Sequence, residues 1–384
     1  MALLLEKGYS VTGQDYSASG GREDLSDLIS NVDAKSTVFT SLAKKGKKPG
    51  NVVMGWQMDK YDSPSGAGVF EGVDVVTGDY VNPAKDRALM QNYVQIFRRS
   101  FRISNLANEI QIVAGIKSEL ANGIAKKLVE IKRDMEYCFL GNADADVESG
   151  AQNPYMTKAL GSYITAAGTA HATTDDVVVP DGYRTPAASI DTTATAALTE
   201  AKVQDLLKSI YNTTGSIRDY DLVCGPTLKR VFTNFTQSVS NNVIDRSTFQ
   251  AAGSDLASGD VVNTQANAIK TFSQDAASRR YINAIDVFEG DFGRLRLHPS
   301  VHINTTTTAG TNGNANETAH GGTVTPRPTR GFVIPFDLVE IRYGKLPQIK
   351  ELTDNGGGPA RLVEAMAALV IQNPSAFGAF SSDS

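Results

Sequence analysis

The fold is decided by one helical segment at residues 117–139, which reads KSELANGIAKKLVEIKRDMEYCF. Apolar residues recur along it at intervals of 4, 4, 4, 3, 4 and 3, namely Ile116, Leu120, Ile124, Leu128, Ile131, Met135 and Cys138. Charged residues occupy the other faces and form i,i+4 pairs such as Lys126 with Glu130. The pattern predicts an amphipathic helix about 35 Å long that ends near Gly141 and could serve as a structural spine.

An alternating segment at residues 93–103 precedes the helix and reads YVQIFRRSFRI. Apolar side chains fall on one face, at Tyr93, Phe97, Phe101 and Ile103. Alternation sends Arg98, Arg99 and Arg102 to both faces. We therefore predict a strand next to the helix.

Further towards the N-terminus, residues 51–92 contain short β-prone runs that Gly and Pro interrupt. Aromatic residues are spread along this segment, at Trp56, Tyr61, Phe70 and Tyr80. The pattern predicts a long hairpin whose limbs reach at most about 70 Å. Two isolated strands are marginal in water, so the apolar residues of such a hairpin need another surface.

Residues 1–50 read as an arm that ends in a basic run, Lys44-Lys45-Gly46-Lys47-Lys48. Such a run is typical of contact with nucleic acid or an acidic neighbour. A solvated hinge explains it equally well.

Residues 143–198 hold 13 Ala, 9 Thr and seven acids against only Lys158 and Arg184. We expect an extended and mostly exposed excursion. Beyond it the sequence predicts helices at 199–210 and 226–235, and strands at 221–224, 285–288, 294–297, 339–343 and 367–372. Residues 304–330 are a low-complexity loop, longer than a compact domain normally contains, and residues 355–359 are a flexible Gly-rich turn. This order of elements is α+β.

Composition excludes several classes of protein. The 384 residues carry 37 Lys+Arg against 42 Asp+Glu, which argues against tight general binding of nucleic acid. The only cysteines, Cys138 and Cys224, predict neither a disulfide scaffold nor a zinc ribbon and fit a reducing compartment. No signal sequence and no apolar run of about 18 residues is visible, so we expect no membrane-spanning segment.

The residues give no positive sign of catalysis, of a cofactor or of a metal. His298 and His302 would stand roughly 13 Å apart on a strand, too far to share a metal ion. No G-x-S-x-G motif occurs, and Gly225-Pro226 with Lys229-Arg230 lacks the G-K-[ST] step of a phosphate loop. We therefore expect no catalytic, cofactor-binding or metal-binding residues and no enzyme activity.

The order of the parts resembles that of the tailed-bacteriophage major capsid protein family over almost the whole chain. Five motifs carry the resemblance: Arg22-Glu23-Asp24-Leu25; Gln95-Ile96-Phe97-Arg98-Arg99; Lys117-Ser118-Glu119-Leu120 leading to Lys132-Arg133-Asp134-Met135-Glu136; Gly225-Pro226 with Lys229-Arg230-Val231; and Asp291-Phe292-Gly293-Arg294-Leu295. Two departures are the long 304–330 loop and the lack of a long charged helical segment before the arm.

The resemblance implies the tailed-phage major capsid fold, α+β with a long spine helix, an extended β-hairpin loop, a peripheral domain and an axial domain. It divides the chain into an N-terminal arm (1–50), the extended hairpin loop (51–92), the peripheral-domain strand and spine helix (93–142), the acidic Ala/Thr-rich excursion (143–198), the axial domain (199–284), and the returning strands with an exposed loop at 304–330 and C-terminal strands (285–384). No catalytic residue is carried over from the family.

The resemblance further implies a structural protein that self-assembles, as hexamers and pentamers, into the icosahedral head enclosing a phage genome. Its partners would be other copies of itself, packaged double-stranded DNA through weak contacts, and scaffolding, portal and decoration proteins, without a membrane. It would be made in the bacterial cytoplasm and reside in the virion. Six residues are candidate intersubunit contacts: Trp56, Tyr61, Phe70, Arg98, Arg99 and Arg102.

Three alternatives remain open from the sequence. The shell could be an encapsulin-like compartment that stores a cargo enzyme. Residues 143–198 and 304–330 could instead be loops of an adhesin or a tail-type binding module. A hydrolase is a distant third.

Overall fold

A computed structural model describes residues 37–106, 118–149, 154–164, 177–194, 197–235, 237–239, 268–270, 286–303, 329–354 and 356–381. These residues fall into two compact units. The described parts of the smaller unit lie within Arg99–Leu128 and Ile349–Val363. Those of the larger unit lie within Lys35–Arg98, Val129–Gln348 and Glu364–Ser384.

The described elements mix helices with strands. The helices are α1 (Val38–Leu42), α2 (Glu119–Phe139), α3 (Leu160–Tyr163), α4 (Glu200–Thr214) and α5 (Pro226–Phe235). The strands are β1 (Lys44–Lys45), β2 (Val53–Met58), β3 (Ala88–Tyr93), β4 (Gln95–Arg102), β5 (Ile190–Asp191), β6 (Arg218–Cys224), β7 (Gln237–Val239), β8 (Ala268–Lys270), β9 (Val287–Gly290), β10 (Gly293–Pro299), β11 (Thr329–Ile334), β12 (Val339–Leu352), β13 (Ala360–Ile371) and β14 (Gly378–Ser381).

The predicted spine helix is confirmed as α2, whose described course ends at Phe139 as expected. Its C-terminal half lies in the larger unit and buries the residues that the apolar stripe predicted, Ile131, Met135 and Cys138. Burial follows from the spacing, because residues three and four apart share one face of a helix. The Cys138 and Cys224 thiols are free and buried, and burial raises the pKa of both to about 12.

One sheet has the strand order β1, β12, β13, β4. The predicted strands at 339–343 and 367–372 are confirmed, but each is one end of a longer strand, of 14 residues in β12 and 12 in β13. Most of the predicted strand at 93–103 is β4, and its first residue, Tyr93, is the last residue of β3.

Within the smaller unit, the Gly-rich turn between β12 and β13 is packed rather than loose. The Asp354 carboxylate accepts hydrogen bonds from the N–H groups of Gly356 (2.9 Å) and Gly358 (3.1 Å). Gly358 has φ +108°, and a Cβ there would lie 2.0 Å from the carbonyl oxygen of Ile103. Only glycine fits this close approach, which explains the composition that suggested a flexible turn.

A second sheet has the order β5, β14, β11, β6, β10, β9. Strand β6 runs parallel to β10 and antiparallel to β11. Helix α4 packs on β14, and α5 packs on β10 and β11. The core between helices and sheet includes the four apolar residues that predicted α4: Val203, Leu206, Leu207 and Ile210.

The strands of this sheet come from distant parts of the chain, and the axial domain at 199–284 stays a prediction. Of its six strands, β6 lies within 199–284, β5 precedes that segment, and β9, β10, β11 and β14 follow it. Pairing between distant strands leaves no periodicity in either strand, so the sequence could not show it. The expected loop at 304–330 lies mostly outside the described residues, and its last two positions belong to β11.

The expectation of a mostly exposed excursion at 143–198 is wrong for its described part. Buried residues include Thr157, Lys158, Leu160 and Tyr163. The side-chain amide of Asn92, from β3, donates to the Thr157 hydroxyl (3.0 Å) and to the Leu369 carbonyl (2.6 Å). Small Ala and Thr side chains allow this close packing, and the ammonium of the fully buried Lys158 pairs with the partly exposed Asp144 carboxylate.

Candidate assembly surfaces

The extended hairpin is a paired ladder only at its base. Strands β2 and β3 pair antiparallel from Val53 with Tyr93 to Met58 with Ala88. The half-buried Trp56 packs on the cluster of Met54, Ala368 and Val370. Its indole Nε1 donates to the Ile371 carbonyl at 3.1 Å. Trp56 therefore anchors the hairpin to its own subunit, and any contact of its exposed part with a neighbour stays a prediction.

Residues 59–87, here called the extended loop, leave the body between β2 and β3. The Arg87 guanidinium lies 3.0 Å from the Asp59 carboxylate, and Lys85 pairs with Asp62. Beyond these ion pairs the loop exposes a series of large apolar side chains: Tyr61, Val69, Phe70, Val73, Val75, Val76, Tyr80 and Val81. Tyr61 is 99% exposed and Phe70 is 86% exposed. An apolar series of this length on one loop is typical of a surface that a partner covers.

The three arginines predicted as contacts are exposed along β4. In the larger unit, Arg98 Nη2 lies 3.1 Å from Glu364 Oε2, and Lys345 Nζ lies 3.1 Å from Glu364 Oε1. Lys345 and then Arg98 hold the pKa of Glu364 below its usual range. In the smaller unit, the Arg102 guanidinium lies against Gly357. Arg98 therefore already has a carboxylate partner in its own subunit.

A buried anchor for the arm was missed by the sequence analysis. Phe39, in α1, is fully buried, with ring centroids 6.3 Å from Phe139 and 5.7 Å from Phe336. The N–H groups of Phe39 and Thr40 each donate to the Glu136 carboxylate at 2.7 Å. Burial raises the pKa of Glu136, although the N–H groups of Thr40 and Phe39 oppose the rise. The charged spine helix thus binds the first turn of α1.

His298 lies in β10 of the second sheet. His298 Nε2 lies 2.8 Å from the Asp221 carboxylate, across the β6 and β10 pairing. Among the described residues, no group of His, Cys, Asp and Glu is arranged to hold a metal ion. Within the same residues, no helix combines the length and the apolar character needed to cross a membrane.

The described residues thus combine a long spine helix, a four-stranded and a six-stranded sheet, and an extended loop with exposed apolar side chains. Several solved structures that are similar to this chain in fold are capsids. They include the capsid of cyanophage P-SCSP1u (11% identity, TM-score 0.51, covering 94% of this chain and 93% of that chain). The mature capsid of bacteriophage PhiM1 matches at 10% identity and TM-score 0.55 over 96% and 94%. The capsid of an empty GTA particle matches at 11% and 0.55 over 96% and 98%.

Residues 8–382 match the family described as SU10 major capsid protein. The chain belongs to this family. No curated protein sequence matches it. The expected α+β capsid fold is confirmed, and so is the expected function as a structural major capsid protein of a tailed phage, which resides in the virion and forms icosahedral shells. This assignment favours the capsid over the encapsulin-like, adhesin and hydrolase alternatives.

Proposed function

We propose that the extended loop is the main contact through which each subunit binds a neighbouring copy, within hexamers and pentamers of the closed shell. The observation that carries the proposal is the run of exposed apolar side chains, with Tyr61 99% and Phe70 86% exposed. Burial of apolar surface contributes a favourable free energy of about 25 cal/mol per Å². An isolated subunit does not gain this free energy from the exposed side chains of the loop. In a lattice the same side chains would be covered by the next copy.

In this proposal the other parts of the subunit are the domains of the capsid family, in the same order along the chain. Residues 1–50 form the arm, 93–142 the peripheral strand and spine helix, and 199–284 the axial domain with the sheet strands that join it. The shell would enclose double-stranded DNA through weak contacts, because the chain is nearly neutral, with 37 basic against 42 acidic residues. Assembly in the bacterial cytoplasm, with scaffolding, portal and decoration proteins as partners, belongs to the same proposal. No enzyme activity is part of it.

Replacing residues 61–81 with a short Gly-Ser linker tests the proposal, since it spares β2 and β3. We expect the free energy of subunit unfolding to change by less than about 1 kcal/mol, because the removed side chains pack on little else. Closed shells, counted by electron microscopy after purification, should fall at least about tenfold.

The matched control removes exposed apolar residues elsewhere in the larger unit, as Ile217→Ser with Val301→Ser, which are 64% and 77% exposed. This variant should assemble as wild type does. Shells of normal yield from the loop replacement would overturn the proposal.

The exposed arginines of β4 give a separate prediction. Each is reversed in turn, as Arg98→Glu, Arg99→Glu and Arg102→Glu, and we expect at least one variant to lower shell yield by impairing a contact with a neighbouring carboxylate. Arg98→Glu also loses the pair with the largely buried Glu364 and places a second carboxylate beside it, so the stability of this subunit is measured as well. Normal shells from all three variants would leave β4 with a structural role only.

A further inference from the structure

All charged side chains at the tip of the extended loop are acidic. Between Tyr61 and Val81 the acids are Asp62, Glu71, Asp74 and Asp79, and no Lys or Arg occurs there. Asp62 is neutralised by Lys85 at the loop base. Glu71 and Asp74 form no ion pair with any described residue, and the Asp79 carboxylate only accepts a hydrogen bond from the Val76 N–H at 3.0 Å. These three carboxylates therefore have no cationic partner among the described residues, and they are interspersed with exposed valines and Phe70.

The basic run of the arm presents the opposite charge on the body of the subunit. Lys45, Lys47 and Lys48 are exposed and form no ion pair with the described part of the chain. Lys44 instead donates to the carbonyl of Asp337 at 3.1 Å. We call Lys45, Lys47 and Lys48 the basic stripe.

The basic stripe is held on the sheet and is not a hinge. Strand β1 pairs in parallel with β12, and the Gly46 N–H donates to the Ile341 carbonyl at 3.0 Å. A Cβ at Gly46 would lie 2.7 Å from Glu340 Oε2 and 2.8 Å from Arg342 Cγ, so the arm lies directly on the β12 side chains. Together with the buried Phe39 upstream, these contacts give the three lysines a fixed place on the surface.

Apolar residues border the basic stripe, as they border the acids of the loop tip. Leu42 precedes the stripe and is 41% exposed, and Val52 and Val53 follow it with 40% and 41% exposed. The basic stripe thus matches the loop tip: three lysines and three carboxylates, none with an ion-pair partner in the described part of the chain, each set among exposed apolar side chains. Within one subunit no ion pair among the described residues joins the two surfaces.

We propose that the acidic tip of the extended loop of one copy binds the basic stripe of a neighbouring copy. The inference rests on the proposed role of the loop in assembly and adds the surface that receives it. Each limb of the loop can span at most about 45 Å at 3.3 Å per residue, enough to cross from one subunit onto the next. Complementary charge of this kind fixes which surfaces meet and speeds their encounter more than it adds affinity.

A charge exchange tests the pairing. One variant reverses the stripe, as Lys45→Glu, Lys47→Glu and Lys48→Glu, and a second reverses the tip, as Glu71→Lys, Asp74→Lys and Asp79→Lys. Each alone should reduce closed shells by about tenfold or more, because like charges then face each other. The chain that carries both reversals should recover most of the wild-type yield, because opposite charges again face each other.

A matched control reverses three exposed lysines elsewhere, as Lys126→Glu, Lys202→Glu and Lys208→Glu, with the same change in net charge. It should assemble normally and should not be rescued by the reversed tip. Loss of shells from the reversed stripe without rescue by the reversed tip would overturn the pairing and indicate another polyanion on the stripe. Normal shells from both single reversals, with none from the loop replacement, would overturn the pairing and leave the proposed function intact.

A disulfide between copies provides a second measurement, independent of yield. Lys47→Cys combined with Asp74→Cys should give, in assembled shells under mild oxidation, a ladder of covalently linked chains on a non-reducing gel. The native thiols are buried and their pKa is raised to about 12, so they should contribute little. Asp74→Cys with Lys208→Cys should form no ladder. A ladder from this control and none from the first pair would contradict the inference.

Discussion

Phe39→Ala should lower the free energy of subunit unfolding by about 3 to 5 kcal/mol. The Phe39 ring is fully buried between Phe139, at the end of the spine helix, and Phe336. The substitution loses the favourable free energy of moving the ring from water into the core. It also leaves a cavity between Phe139 and Phe336, which belong to different elements. Because α1 and β1 are short, this ring supplies much of the apolar attachment of the part of the arm that the structure describes.

The measurement is denaturant unfolding of disassembled subunits, followed by the fluorescence of Trp56, the only tryptophan. The control is Phe70→Ala, at a ring that is 86% exposed, which should change the unfolding free energy by less than about 0.5 kcal/mol. If the two variants proved equally stable, the arm would not be anchored through Phe39. Shells of Phe39→Ala should also be fewer, because the basic stripe loses its fixed position.

The fold could be predicted where one element carries its own period. A long stripe of apolar residues predicts the spine helix. The spacing of four apolar residues, all buried, predicts α4: Val203, Leu206, Leu207 and Ile210. These patterns are local, so neighbours in sequence suffice to reveal them. The order of such elements along the chain was enough to indicate the capsid family.

Burial in the 143–198 segment could not be predicted, because small Ala and Thr side chains carry little hydrophobic signal. Lys158 is fully buried, yet in the sequence it is one of only two bases among seven acids. Its environment depends on Asn92 and Leu369, which are distant in the chain and meet the segment only after folding. The strand partners of the second sheet were hidden for the same reason.

The candidate surfaces were predictable in part. Tyr61 and Phe70 were chosen because a Gly-rich hairpin cannot bury its aromatic residues, and both are exposed. Trp56 was grouped with them, since no feature of the sequence distinguishes the paired base of a hairpin from its tip. Their contacts with a neighbour stay predictions. Glu136 escaped notice because its i,i+4 spacing from Lys132 is also what a solvated helix face would show.

Glu136→Ala should be nearly as destabilising as Phe39→Ala, with a loss of about 2 to 5 kcal/mol. The substitution leaves the N–H groups of Phe39 and Thr40 without the acceptor that each now has at 2.7 Å. A buried donor left without its partner costs about 1 to 3 kcal/mol. Glu148→Ala, at an exposed carboxylate, is the control and should be close to neutral. A Glu136→Ala subunit as stable as the control would show that water replaces the carboxylate at no cost.

Glu136→Gln removes the ionisable group, but its NH2 cannot accept from Phe39 or Thr40 as the second carboxylate oxygen does. The change of the stability difference with pH, and not its constant part, therefore reports the charge of the carboxylate. Burial raises the pKa of Glu136 above its ordinary value of 4.5, against the N–H groups of Thr40 and Phe39 and the charge of His302. Burial first, and then the charge of Glu136, raise the pKa of Tyr343 as well. The native state therefore binds a proton at Glu136 more tightly than the unfolded chain does.

Stability contributed by the protonated carboxyl is fully present below pH 4.5 and is lost as the pH rises through the raised native pKa. Wild type should therefore lose stability relative to Glu136→Gln as the pH is raised from 4.5 towards neutrality, because only the wild type must ionise a buried group. Unfolding of both chains across this range, at constant ionic strength, measures the difference. A difference that stays constant with pH, or changes in the opposite direction, would mean that the two N–H donors and His302 outweigh the cost of burying the charge.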